Sequence, residues 1–139
     1  MSNHRLQTSE LQALNSLFSN FGIAYNAGDE ILHESEPSYD LYIVLRGQVE
    51  FSVSDPESGV KRVLRVAHTG EIFGEISCFS GLPRTATAIA LEETVLLKFQ
   101  RDTAIELLRK SPDFAIKVIQ TLSDRLRANT EMLARLWNQ

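Results

Sequence analysis

The sequence predicts a mainly β domain in which a sandwich or barrel of short strands lies between one N-terminal helix and two C-terminal helices. Three observations carry that expectation. Apolar residues recur at helical spacing near both ends of the chain. Between Ile23 and Phe99 the pattern changes to short β-like runs separated by turn residues. No repeat, linker or low-complexity stretch divides the 139 residues, so we read residues 1–139 as one domain. The expected bounds are about 8–21 for the first helix, about 22–100 for the strands and about 101–137 for the last two helices.

At the N-terminus Ser9 or Thr8 can cap a helix whose apolar positions are Leu11, Leu14, Leu17 and Phe18, and Gly22 ends it. The strand runs that follow include 41–45, 49–53, 63–66, 87–90 and 95–99. Asn26-Ala27-Gly28-Asp29, Arg46-Gly47 and Asp55-Pro56-Glu57-Ser58-Gly59 punctuate them. From Thr103 onward the period is helical again. Ser111-Pro112-Asp113 starts the last helix, with Ser111 as N-cap, Pro112 at the first position and Asp113 near the positive end of the helix dipole.

The net charge of −4 lacks the basic excess usual in nucleic-acid-binding domains. The lone Cys78 can close no internal disulfide and cannot build a zinc or iron–sulfur site by itself. His4, His33 and His68 are scattered, with no metal-ligand spacing, which argues against a metal-dependent enzyme on a cupin-like barrel. No Ser/His/Asp set or paired-carboxylate motif stands out either. A polar N-terminus without an apolar signal core, and no apolar run long enough to span a bilayer, lead us to expect a soluble cytoplasmic protein without cofactor, metal, membrane or nucleic-acid partner.

Gly70 to Ala88 is the stretch that carries chemistry. Gly70 and Gly74 frame its start and let the backbone turn sharply or approach a ligand closely. Ile76 to Phe79 can form a single helical turn, whose free first amides suit an anion. Arg84 follows a proline that stiffens its approach, and its planar guanidinium suits a phosphate. Thr85 adds a hydroxyl donor. Glu75 would repel a phosphate but can accept from a sugar hydroxyl of the same ligand.

At these residues the chain resembles the cyclic nucleotide-binding domain family. Phe73-Gly74-Glu75 followed by Pro83-Arg84-Thr85-Ala86 looks like that family's phosphate-binding cassette. Residues 27–32 resemble its first hairpin and residues 41–50 its central hairpin. The resemblance implies a double-stranded β-helix (jelly-roll) barrel and a non-catalytic sensor of cAMP, with cGMP as the alternative, since Thr at the position of Thr85 occurs with both ligands. It implies ligand contacts from Phe73, Gly74, Glu75, Ile76, Ser77, Arg84, Thr85 and Ala86. Glu75 would accept from the ribose 2′-hydroxyl, Arg84 would pair with the cyclic phosphate, and Thr85 would donate through its hydroxyl and amide. Cys78 stands where the family usually has an aliphatic residue, and a thiol behaves there as a small hydrophobe.

Each feature has a plainer reading. Glu75 and Arg84 could form a surface ion pair, Cys78 could be inert core, Tyr42 and Phe51 could be core, and Arg125 and Arg127 could be solvated. A ligand-free interaction domain that kept the fold is the corresponding functional alternative.

On the last helix Ile119, Leu122, Leu126, Leu133 and Leu136 alternate at spacings of three and four, with Asn129 in the polar gap. That is a heptad seam with one polar position, a device that fixes register and partner number. It predicts a homodimer through this helix. Packing on the chain's own barrel is the alternative, and the more natural one for the helix's first half. Residues 122–131 also resemble the dimer helix of the family's cAMP receptors. That resemblance implies base-capping by Asn129 and Thr130 and an Arg125 near the ligand, an amide and a hydroxyl standing where the family has two hydroxyls. In the transcription factors of the family a helix-turn-helix follows this helix, and no room for one remains before Gln139. The downstream protein partner is not legible.

Overall fold

The continuous apolar run at 41–45 is the key to the layering. In the computed structural model, which describes residues 5–10, 12 and 22–137, this run is a strand buried on both faces. The described strands are β1 (Gly22–Tyr25), β2 (Glu30–Leu32), β3 (Leu41–Arg46), β4 (Val49–Ser54), β5 (Lys61–Ala67), β6 (Ile72–Phe73), β7 (Thr87–Ala90) and β8 (Thr94–Phe99). The described helices are α1 (Glu75–Ser80), α2 (Arg101–Lys110) and α3 (Pro112–Trp137). The strands form two antiparallel four-stranded sheets, ordered β1-β8-β3-β6 and β2-β7-β4-β5.

Alternate residues of the first sheet serve two cores, as the period-2 geometry of a strand requires. Leu41, Ile43, Ile72, Leu97 and Phe99 face α2 and α3, where they meet Ala104, Leu107, Phe114 and Val118. Tyr42, Val44, Phe73 and Leu96 face the second sheet, where they meet Leu32, Val49, Phe51 and Ala88. The molecule is therefore helices, sheet, sheet, which explains why β3 reads as unbroken apolar sequence.

The mainly β class with flanking helices is as expected, but the barrel is not closed: among the described residues no ladder joins the two sheets. Both expected hairpins are corners instead. β1 pairs with β8 and β2 with β7, while β3 pairs with β6 and β8 and β4 pairs with β5 and β7. The chain crosses between sheets at Asn26–Asp29 and again at Arg46–Gln48. Gly47 makes the second crossing possible: its φ is 103°, and a Cβ there would lie 2.4 Å from Thr94 Oγ1. The hairpin that does form is β4–β5, closed by Asp55 and Gly59.

Thr8–Glu10 and Gln12 are helical, and the rest of the expected N-terminal helix lies outside the described residues. The helix begins at Thr8, the start expected, but Gln7 rather than Thr8 or Ser9 precedes it, and Gln7 N–H donates to Glu10 Oε1 at 3.0 Å, a side chain reaching back to the cap. Gly22, expected to follow the end of that helix, is the first residue of β1. Ser111 does both of its jobs at the α2–α3 joint. Its amide donates to Leu107 O at 2.9 Å, and its Oγ accepts from Phe114 N–H at 3.3 Å.

Candidate functional site

Gly74 joins β6 to α1 with φ 82°. A Cβ at that position would lie 2.8 Å from Asp40 O and 2.9 Å from Arg84 Nη1, so only glycine lets these groups close in. α1 runs from Glu75 to Ser80, slightly longer than the turn expected over 76–79, and Gly81 ends it with φ 75°. Glu75, Ile76 and Ser77 are its first-turn residues, whose amides have no carbonyl four positions back within the helix.

Arg84 is 4% exposed and firmly held. Its Nε donates to Ser38 Oγ at 2.8 Å, Nη1 to Gly74 O at 3.1 Å and Nη2 to Asp40 O at 2.9 Å. Tyr42 lies under the guanidinium, 6.0 Å from ring centroid to Cζ. Burial pushes its pKa down, and Tyr42, Asp40, Glu36 and Cys78 oppose that shift. No carboxylate among the described residues comes within ion-pair distance of it. A guanidinium has five N–H donors, so two remain after these three bonds.

Glu75 is 1% exposed. Its Oε1 contacts Arg125 Nη1 from α3, and neither carboxylate oxygen receives a well-formed hydrogen bond from the described residues. The ion pair meets the charge of this carboxylate and leaves Oε2 without a donor. Arg125 also donates to Ile72 O at 2.7 Å. Burial pushes the Arg125 guanidinium down to about 9, with Arg65 adding to the shift and Glu71 opposing it. The Glu75 carboxylate in contact with it acts in the same sense as Glu71, so we treat Arg125 as charged.

These groups share one cavity of about 360 Å³, a size suited to a small ligand. It brings together Gly74, Glu75, Ile76, Ser77, Arg84, Thr85, Ala86, Arg125 and Asn129. It does not include Phe73 or Thr130. Phe73 lies wholly in the core between the sheets, stacked on Tyr42 at 4.9 Å and against the edge of Phe51 at 5.1 Å. Thr130 is exposed, and its hydroxyl donates to Leu126 O at 2.8 Å, the usual fate of a threonine inside a helix. Sequence reasoning missed six lining residues: Leu32, Phe51, Leu64, Arg65, Ala128 and Met132. Arg65 is placed by its guanidinium, 4.2 Å above the Phe51 ring. A second cavity of about 300 Å³ lies beyond, with Arg65, Arg125 and Ala128 as the common wall.

Residues 23–111 match the family model described as the cyclic nucleotide-binding domain. The chain belongs to that family. Within it, this domain is 28% identical over 114 residues to a CRP-like cAMP-activated global transcriptional regulator of Mycobacterium tuberculosis, covering 82% of this chain and 50% of the relative. It is 34% identical over 103 residues to lysophospholipase NTE1 of Chaetomium globosum, covering 74% of this chain but only 7% of that protein. The crystal structure of the catabolite activator protein of Thermus thermophilus superposes with a TM-score of 0.81 at 30% identity, covering 94% of this chain and 60% of that one. The chain thus spans half or less of the length of these two curated relatives. No helix among the described residues is long and apolar enough to cross a membrane.

Proposed function

We propose that this cyclic nucleotide-binding domain is a non-catalytic sensor that takes cAMP into the cavity beneath α3 and reports its presence through that helix. The observation that carries this reading is a pair of unmet needs on one cavity. Arg84 is a buried cation with no carboxylate partner among the described residues, and Glu75 is a buried carboxylate with an oxygen lacking a donor. A cyclic nucleotide satisfies both at once. Its phosphate takes the two spare Arg84 donors, the Thr85 hydroxyl and the first-turn amides of α1. Its ribose hydroxyl donates to Glu75 Oε2. The purine lies against Leu32, Phe51, Leu64 and Met132, with the Asn129 amide at its polar edge.

The ligand then acts on α3 through Arg125 and Asn129, and shifts that helix only by its differential affinity for the closed arrangement. The exposed stripe on α3 docks a second copy, so the sensor works as a homodimer. The downstream partner is a further protein that reads the position of α3.

Calorimetric titration with cAMP and cGMP tests the assignment. Arg84→Ala should weaken cAMP binding by about 2–5 kcal/mol, the usual consequence of leaving a buried charge without its partner. Undiminished affinity in that variant overturns the site.

The cGMP reading rests on two of the donors that line the cavity, Thr85 and Arg65, since guanine offers two acceptors where adenine offers one acceptor and one donor. Thr85→Ala separates the readings. A cGMP sensor loses cGMP affinity far more than cAMP affinity, whereas an equal loss makes Thr85 a phosphate contact alone.

A further inference from the structure

Arg84 can hold an anion only if its spare N–H groups are aimed, and a free arginine side chain has many rotamers to lose. Two of the three bonds that fix it go to backbone carbonyls, Gly74 O and Asp40 O. The third goes to a side chain from a distant loop: Nε donates to Ser38 Oγ at 2.8 Å. That hydroxyl is itself committed, because Ser38 donates its proton to Glu36 Oε2. With its proton engaged, Ser38 Oγ can only accept from Arg84, so the polarity of the contact is fixed.

The loop is locked to the same arginine by its backbone. Arg84 N–H donates to Glu36 O at 2.9 Å, and Ser35 N–H donates to Arg84 O at 2.8 Å. Ser35 adopts φ 73° to do so, the sole positive φ among the described residues other than glycine. The other oxygen of Glu36 accepts from His33 N–H at 3.3 Å, which anchors the carboxylate. Loop 33–40 thus reaches Arg84 by main chain and side chain together.

We infer that Ser38, oriented by Glu36, is a positioning residue that aims the Arg84 guanidinium at the ligand phosphate. The relay runs Glu36 carboxylate, Ser38 hydroxyl, Arg84 Nε, and it leaves the outer donors of Nη1 and Nη2 for the anion. This rests on the cyclic-nucleotide reading of the cavity. Ser38 touches no ligand itself, and its effect passes wholly through Arg84.

The test is a double-mutant cycle read by calorimetric titration with cAMP. Ser38→Ala should lower cAMP affinity by about tenfold, a loss of the size seen for hydrogen bonds to charged groups. Ser38→Thr, which keeps the oxygen, should recover most of that loss. In an Arg84→Lys background, which keeps a cation but has no Nε–H to donate to Ser38, Ser38→Ala should cost less than about twofold. A loss of the same size in both backgrounds overturns the relay and makes Ser38 a general loop-stabilising residue. Full affinity in Ser38→Ala overturns it also. Absence of cAMP and cGMP binding by the unaltered protein is a different outcome, which removes the proposed function and the relay with it.

Discussion

The guanidinium of Arg125 reaches from α3 to the carboxylate of Glu75 at the start of α1, and to the carbonyl of Ile72 at the start of β6. One side chain thereby ties the long helix to both ends of the Phe73–Gly74 junction. Glu75 is 1% exposed, so its charge is held in a place where an unpaired carboxylate is costly. The same carboxylate is the candidate acceptor for a ribose hydroxyl, so the helix and a bound nucleotide would meet on one residue.

Arg125→Ala should therefore destabilise the ligand-free protein by about 3 kcal/mol, the low end for breaking a buried pair, since the Arg125 side chain keeps 21% exposure. Urea unfolding measures it. Adding Glu75→Gln should return part of the loss, because the variant then buries an amide instead of an uncompensated charge. A double variant no more stable than Arg125→Ala alone would show that the Glu75 charge is not what the arginine offsets.

The ribose role of Glu75 predicts a ligand-dependent signature. The unaltered protein should bind 2′-deoxy-cAMP more weakly than cAMP by about 1.5–3 kcal/mol, the range for a hydrogen bond to a charged group. In Glu75→Ala the difference between the two ligands should largely vanish. If the deoxy ligand loses as much on the variant as on the unaltered protein, the hydroxyl is read elsewhere.

The parts of this fold and site that were legible in the sequence are those set by near neighbours. Ser111 and Pro112 announce the α3 start because capping is a matter of three residues. The span from Gly74 to Ala86 shows its chemistry because its turn, its helix and its arginine are consecutive. Leu64, Arg65 and Met132 could not be read that way. Each enters the cavity through packing between β5, β4 and α3, and nothing local in 61–66 distinguishes a cavity wall from an exposed edge strand. The two corners were misjudged as hairpins for a related reason. Turn residues mark where a strand ends, but β1, β2 and β3 find their ladder partners far along the chain, in β8, β7 and β6 with β8, and β4 turns to β7 and β5 rather than back to β3. Arg125 is a solvated residue by type and is placed near the ligand only by the family resemblance; the buried Glu75 and the carbonyl of Ile72 draw it inward.

Cys78 is fully buried on the inner face of α1, and burial pushes its thiol up to about 11 from 9.0, with Arg84 and Arg101 opposing. So raised, the thiol gives about 100-fold less thiolate at pH 8 than an exposed one, and the thiolate is the reactive form. Iodoacetamide labelling of the native protein at pH 8 should be negligible on the timescale that labels the urea-unfolded chain completely. The sign for stability follows from the same shift. As pH rises past the unfolded thiol's value, the unfolded chain releases a proton that the native state keeps, so this group's contribution falls with rising pH. Rapid native labelling at pH 8 would mean that the α1 region opens far more often than its burial implies.

The last prediction concerns the outer face of α3. Phe114 and Val118 are buried and Leu122 packs on the same core, so the first half of the helix does cover its own sheet. Beyond it Leu126, Leu133, Leu136 and Trp137 are 69%, 67%, 57% and 89% exposed, a run of apolar residues on one short length of helix. Ile119, at 61%, continues the stripe toward the N-terminus. Isolated exposed leucines need no explanation, but a stripe at heptad spacing does. A second copy of α3 laid alongside would bury it, with Asn129 meeting its counterpart in the seam. Asn129 also lines the cavity, so dimerisation and ligand binding would compete for, or share, one amide. Sedimentation equilibrium should show a dimer that Leu133→Glu converts to monomer, since it sets two like charges together in an apolar seam. Asn129→Leu should strengthen the dimer while altering cAMP affinity. A protein that sediments as a strict monomer both with and without cAMP would remove the seam.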